Sequence, residues 1–299
     1  MLAHARLSSA ILCLSCFGAA VSVAAQQPEA AVQTCALAKE PADSFTVRVP
    51  FDVVDGRIYV QARVNGRGPF RFAVDTGASG LGRADKSLVS ALGLKVHGTS
   101  TTSDGVQSAT VDTVQLDSLE LGGLSRRGIE VITRDYGSRM KPEAAFHGIL
   151  GRDFFADGLL VLDYPGKMLS FSTALSLPAS GNKVLKYERA FRVPVFIGKN
   201  RLEGNLDTGA NVSLVMPQAM YDKVANAPLQ DAGQGTLTNT RIDTKRGILD
   251  QPVTIGASSL KGVEARVSER FPELLIGAHI LQRYTVLIDQ RSKTIALCD

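Results

Sequence analysis

One short sequence occurs twice in this chain. Phe72-Ala73-Val74-Asp75-Thr76-Gly77-Ala78 recurs as Gly204-Asn205-Leu206-Asp207-Thr208-Gly209-Ala210, so that each copy ends in Asp-Thr-Gly-Ala. Roughly 70 residues beyond each copy comes an apolar run closed by glycine, Gly148-Ile149-Leu150-Gly151 and Leu274-Leu275-Ile276-Gly277. The doubling predicts two halves of one plan. It also predicts a chemistry. Two carboxylates forced close together cannot both ionise, so they share one proton. One then acts as a base and the other as an acid at the same pH.

The repeat extends beyond the short motif. Residues 119–131 echo residues 253–266, and Gly151-Arg152-Asp153-Phe154-Phe155 with Leu160-Val161-Leu162-Asp163-Tyr164 is echoed by Gly277-Ala278-His279-Ile280-Leu281 with Val286-Leu287-Ile288-Asp289. Arg57 to Val64 alternates with a period of two, Asn65-Gly66 turns it, and Phe70 to Val74 runs back, which predicts a hairpin. Asp85 to Leu92 reads as a short helix closed by Gly93. A second helix is expected over about Met216 to Ala225, with Pro217 in its first turn.

The chain divides as follows. Residues 1–25 read as an export signal, with a weakly basic start at His4 and Arg6, an apolar stretch from Ile11 to Val23, and small residues before the cleavage point. The stretch is too short to span a bilayer. Residues 26–43 are polar and Ala-rich, which predicts a loosely held lead; a first lobe is expected over 44–175, a linker over 176–183 and a second lobe over 184–299. This implies an exported protein, periplasmic or secreted, with no stable membrane insertion once the signal is removed. Removal of the signal takes Arg6 and no acid, so the formal charge falls from +4 to +3. That mild, well-mixed charge has no basic block of the kind nucleic acid binding needs.

Cys13 and Cys16 leave with the signal, and Cys35 and Cys298 remain near the two ends. In an oxidising compartment a bridge between them is expected, worth at most about 5 kcal/mol by loop entropy. The alternative is two buried free thiols. No metal spacing and no CxxC are present, so neither metal nor cofactor is expected.

These residues resemble the aspartic peptidases of the pepsin and retropepsin type, over about residues 46 to 298. Two lobes in one chain are similar to pepsin; the Asp-Thr-Gly-Ala tetrads, and Gly151-Arg152-Asp153 after Ile149-Leu150, look more like retropepsins and their bacterial relatives. The resemblance implies an all-β, two-lobed acid-protease fold of β-barrel type, with a pseudo-twofold repeat, short helices and the active site between the lobes. It places Asp75 and Asp207 as the catalytic pair. Thr76, Gly77, Ala78, Thr208, Gly209 and Ala210 support the active-site loops. The implied substrate is a protein or peptide. Both aspartates lie on one chain, so a monomer suffices.

The departures from the family also carry expectations. Pepsin-like enzymes have Ser or Thr where Ala78 and Ala210 stand, and the missing hydroxyl donors predict a pair that titrates higher than theirs. Neither candidate flap, about 99–112 and 235–247, has an aromatic; a glycine tip is expected at Ser103-Asp104-Gly105 or Gly233-Gln234-Gly235. The arginine network of retropepsins is incomplete, because Ser79 and Asn211 stand where acids are expected and Ala278 replaces the second arginine. Arg152 reads as a structural ion pair, Arg71 and Arg83 as solvated charges, Asp163 and Asp289 as turn residues, His147 and His279 as surface or satisfied histidines, and Phe154-Phe155 as core. Gly80 to Ser87 resembles a phosphate loop only superficially, since Asp85 stands where glycine is required. Gly-x-Ser-x-Gly and HExxH are both lacking. The leading expectation is an exported aspartic endopeptidase. The alternatives are a catalytically weak or inactive peptide-binding protein, or an envelope scaffold, with the same fold.

Overall fold

The computed structural model describes residues 34–299, apart from Asn182 and Asn226. The export signal, with Cys13 and Cys16, and the first part of the lead lie outside the described residues.

The hairpin that opens the first lobe forms because its residues alternate. Arg57–Val64 pairs with Arg67–Asp75, Ile58 opposite Val74 and Val60 opposite Phe72, and all four of these side chains are buried. Asn65 and Gly66 turn it with φ of 51° and 70°, the left-handed pair that matches strand twist. Arg67–Asp75 then pairs in parallel with Gly148–Gly151, and Gly82–Asp85 lies on the far side of that strand. Leu124–Arg134, Ser108–Leu121 and Val96–Ser103 complete an eight-stranded sheet that begins at Asp52–Val54.

The second lobe repeats this core strand for strand. Asn200–Asp207 is parallel to Leu274–Gly277, which is antiparallel to Leu214–Pro217, which is parallel to Glu264–Ser268. A third, six-stranded sheet draws on both lobes in the order Val47–Pro50, Met168–Ser172, Leu159–Asp163, Thr285–Asp289, Thr294–Cys298, Val184–Lys186. Its central pairing, Val161 opposite Leu287, joins the halves. Alternation serves two layers here. Leu160, Leu162, Val286 and Ile288 enter the main core, while Leu159, Val161 and Leu287 pack on the other face with Phe45, Leu177, Ala296 and Cys298.

Cys35 and Cys298 are bridged, with Cα atoms 5.8 Å apart and a separation of 263 positions in sequence. The bridge and the packing of Leu37 and Ala38 pin residues 34–43 against this outer layer, with short 3-10 turns at Leu37–Lys39 and Ala42–Ser44. That part of the lead is therefore held and not loose. Around the linker, Leu177 is buried and its N–H donates to Asp289 at 3.1 Å.

The first helix, Lys86–Leu92, is capped by Asp85, whose carboxylate accepts from the Ser87 N–H, and is stopped by Gly93 at φ 65°. The second begins later than its composition suggests, at Gln218–Val224, with Pro217 as N-cap. Met216 and Pro217 are held in a strand opposite Val267 and Ser268, so sheet pairing overrides the helical signal.

Candidate active site

Asp75 and Asp207 each end a strand, directly after the buried Val74 and Leu206. Each lies opposite a glycine of the adjoining parallel strand, Asp75 opposite Gly151 and Asp207 opposite Gly277. These glycines explain why the two motifs come as a set. A Cβ at Gly151 would sit 2.9 Å from the Ala78 carbonyl oxygen, and one at Gly277 2.7 Å from that of Ala210. The chain leaving each Asp-Thr-Gly lies directly on the glycine-ended run and is bonded to it, Arg152 N–H to Ala78 O at 3.0 Å and Ala278 N–H to Ala210 O at 2.8 Å. Within each run the side chains split. Leu150 and Ile276 enter the main core, whereas Ile149 and Leu275 pack in smaller clusters that face the cleft.

The two loops meet at the seam. The Thr76 N–H donates to Thr208 Oγ1 at 3.1 Å, and the Thr208 N–H donates to Thr76 Oγ1 at 3.0 Å. Each hydroxyl donates onward to the opposite strand, Thr76 to Leu206 O at 3.1 Å and Thr208 to Val74 O at 2.8 Å. Both threonines are buried, so this four-bond ring is shielded from competing water. Gly77 and Gly209 lie against the opposite carboxylates. A Cβ on Gly77 would fall 2.5 Å from Asp207 Oδ2, and one on Gly209 2.5 Å from Asp75 Oδ2.

Gly77 and Gly209 thus seat the two carboxyl groups beside each other across the seam. Burial, and then the charge of Asp75, push the Asp207 carboxyl well above the usual carboxylate range; the Gly209 N–H, donating to Asp207 Oδ1 at 2.8 Å, works against them. Asp75 Oδ1 accepts from the Ala78 N–H at 2.9 Å. Backbone amides thus serve the carboxylates where Ala78 and Ala210 offer no hydroxyl. Both aspartates keep partial exposure, on a cleft of about 1160 Å³.

Two hairpins roof that cleft. The first, Val96–Ser103 with Ser108–Leu121, turns at residues 104–107, close to the expected glycine tip. The second turns not at Gly233 to Gly235 but at residues 237–240, where the Leu237 N–H donates to Thr240 O at 2.8 Å. Gly233 instead forms a bulge, with φ at 68° and its N–H capped by Asp231. Asn239 ties the two tips together. Its backbone N–H donates to Asp104 Oδ2 at 2.7 Å, and its amide to Thr102 O at 3.0 Å and Gln107 O at 2.6 Å. Arg134 donates to Asn239 Oδ1 and to Thr238 O. Val106 packs on the second lobe's Ile242, Phe271 and Leu275.

A second bond system crosses between the lobes beneath the cleft. Arg57 Nε donates to Gly209 O at 2.6 Å and its guanidinium to Asn211 Oδ1 at 3.1 Å. Asn211 Nδ2 donates to Asp55 Oδ2 at 2.6 Å, and His279 Nε2 lies 2.8 Å from Asp55 Oδ1. The amide of Asn211, and then His279, hold the Asp55 carboxyl below its usual value against some desolvation. Arg57 and Asp55 escape a reading of the motifs because their partners lie more than 150 residues away.

Residues 60–154 match the family model described as aspartyl protease. Over this span the first lobe is similar to aspartyl proteases. The second lobe lies outside the matched span, and its likeness to an aspartyl protease lobe rests on the strand-for-strand repeat and the symmetric seam. No curated protein matches the chain.

Other residues singled out by sequence have other places. Arg152 makes only a long contact, 3.7 Å, to Asp153, and the cross-lobe role falls to Arg57 instead. Arg71 stacks on the Tyr59 ring at 3.9 Å and donates to Glu143 O and Ala145 O. Arg83 is half-buried and lines the cleft, with its Nε shut off from solvent. Asp163 accepts from the Gly166 N–H and the Thr285 hydroxyl, and Asp289 from Arg291 and the Leu177 N–H. His147 stacks near Phe70, and its Nδ1 has no partner among the described residues. Phe154 and Phe155 are core. Among the described residues no cluster of three or more His, Cys, Asp or Glu could hold a metal ion, and no helix is long and apolar enough to cross a membrane.

Proposed function

We propose that the chain is an exported aspartic endopeptidase that hydrolyses protein or peptide substrates with Asp75 and Asp207. The observation that carries this is the seating of Gly77 and Gly209 against the opposite carboxylates, which brings two acids together on an open cleft. Packing two acids together beneath a threonine ring costs stability, and a shared catalytic proton explains the cost.

The chemistry follows from the asymmetry of the pair. Asp207, whose carboxyl is pushed up by burial and by the charge of Asp75, holds the shared proton. Asp75 takes a proton from a water lying between the carboxyls, and the hydroxide attacks the scissile carbonyl carbon. The proton of Asp207 passes to the carbonyl oxygen, giving a neutral tetrahedral diol. Asp75 then returns its proton to the leaving nitrogen, while Asp207 recovers one from the diol as the C–N bond breaks. The threonine ring and Arg57 hold the loops in place, so little reorganisation is needed during reaction. A single chain supplies both acids, so a monomer is sufficient.

Export, to a periplasmic or outer compartment, is supported by the signal-like first 25 residues and by the Cys35–Cys298 bridge, which persists only where thiols are oxidised. The second reading, a peptide-binding or envelope protein with weak or no catalysis, is favoured by the tied roof at Asn239. Digestion of unfolded casein by the wild type and by Asp75→Asn separates the two. Cleavage by the wild type and its loss in the variant support the peptidase. Identical behaviour of both across a broad pH range supports the binding protein.

A further inference from the structure

The two side walls of the cleft differ in chemistry. On the second-lobe side, Ile242, Phe271 and Leu275 form an apolar wall on which Val106 rests. The first-lobe side has apolar residues too, Phe146 and Ile149, but Tyr136, against the Phe146 ring, and Arg83, opposite Ile149 in the sheet, line the cleft beside them. Arg83 Nε and the Tyr136 hydroxyl are both shut off from solvent, and neither has a hydrogen-bond partner among the described residues.

A guanidinium nitrogen left this way is costly, because burying a polar group unpaired forfeits its bonds to water, and the rest of the fork is left facing the cleft. Among the described residues no acid is bonded to Arg83. Asp85, two residues on, has its oxygens occupied by the N–H groups of Ser87, Tyr136 and Gly137, at 2.8 to 3.1 Å. Of the acids on the roof, Asp104 accepts from Asn239 and Asp112 is exposed. Among the described residues no ion pair includes Arg83. The bonds from Asp85 fix the loop that carries Tyr136, so the two unpartnered groups are held side by side. Burial raises the Tyr136 hydroxyl, and the guanidinium beside it only partly offsets this, so the phenol stays a neutral donor.

We propose that Arg83, with the Tyr136 hydroxyl, forms a specificity pocket for a carboxylate on the substrate residue next to the scissile bond. Arginine suits this role because its fork of N–H groups binds a carboxylate by two parallel bonds. The opposite wall accepts an apolar residue on the other side of the bond. The inference rests on the peptidase reading of the cleft, but its test does not depend on turnover.

The test uses the mature protein and peptides whose scissile amide is reduced to CH2–NH, so that binding is read without cleavage. Glu, Gln or Leu is placed on either side of the reduced bond, with the C-terminus amidated. A further peptide has Leu at that place and a free terminal carboxylate at the same spacing. Calorimetry is expected to give about tenfold tighter binding for Glu than for Gln in one of the two positions. Arg83→Met should abolish that preference while leaving the Leu peptide unchanged. If Arg83→Met does not fold, the Glu-to-Gln ratio of the wild type decides alone, with Tyr136→Phe as the second variant. Tighter binding only of the free terminal carboxylate would assign the pocket to a chain end and overturn the side-chain assignment. Equal binding of Glu and Gln, or no binding of any peptide, would overturn it as well. Glu preference without casein cleavage leaves the pocket standing and the peptidase reading fallen; cleavage without preference does the reverse.

Discussion

Arg57 donates its Nε to the carbonyl oxygen of Gly209 at 2.6 Å, across 152 residues of sequence. The acceptor belongs to the loop whose Gly209 N–H holds the Asp207 carboxylate. One guanidinium in the first lobe thus sets the position of an acid in the second. Charged hydrogen bonds of this kind are each worth about 1.5–3 kcal/mol when shielded. Arg57→Ala is expected to lower kcat about tenfold or more with a smaller change in KM, and Arg57→Lys to recover only part of the loss, since an ammonium cannot bond Gly209 and Asn211 as a fork does. Steady-state kinetics of the two variants check this.

Gly209 is the second lever. A Cβ there would fall 2.5 Å from Asp75 Oδ2, so its absence leaves room for the carboxyl. Gly209→Ala must push the loops apart, and a displacement near 1 Å at the reacting groups costs about 100-fold in rate. The variant is expected to fold, with stability lowered by about 1–3 kcal/mol as in other overpacked sites. Urea unfolding together with casein digestion tests both parts, and retained activity would contradict the seating.

The roof at Asn239 is expected to yield to a single substitution. Asn239→Ala removes the amide bonds to Thr102 and Gln107 and the acceptor for Arg134, leaving the backbone bond to Asp104. At about 1 kcal/mol per bond, amides near residues 102–107 and 237–240 should exchange hydrogen roughly 10- to 100-fold faster. Exchange in the six-stranded sheet should not change.

The alanines after each Asp-Thr-Gly shape the pH profile. The raised Asp207 keeps one proton on the pair as pH rises, so activity should extend from mild acid towards neutrality, and fall on the alkaline side as that proton is lost. Ala210→Ser offers a hydroxyl donor to the ionised form, which lowers the pKa. The alkaline limb should then move down by about one pH unit. The sign for stability is the reverse of the usual carboxylate case. A carboxyl raised on folding gives stability that is present at low pH and lost as pH climbs through its folded value. An unchanged or upward-moving limb in Ala210→Ser would count against this.

Much of this fold can be read from residues. The alternation of Arg57 to Val64 with Asn65-Gly66 specifies a hairpin locally, and Asp85 and Gly93 bracket a helix by capping chemistry alone. The doubled Asp-Thr-Gly points to facing loops because a lone buried aspartate has no such use. What stays illegible depends on distant partners. Pro217 looks like a helix start until Ser268 pairs with it, and Asn239 looks like an ordinary turn residue until Thr102 and Gln107 arrive beneath it. Arg57 and Arg83 look alike as strand arginines; only the folded chain gives the Nε of the first a carbonyl to hold and leaves that of the second without a partner among the described residues.

The central claim is that Asp75 and Asp207 share one proton across the seam, and carbon-13 NMR of labelled aspartate carboxyls tests it most directly. One carboxyl should titrate far above the ordinary 3.8, with Asp207→Asn removing that signal. Asp75→Asn should lower the same titration without restoring it fully, because burial outweighs the neighbouring charge. A spectrum in which every aspartate titrates at its usual value, or in which Asp75→Asn leaves the raised group unmoved, would contradict the account.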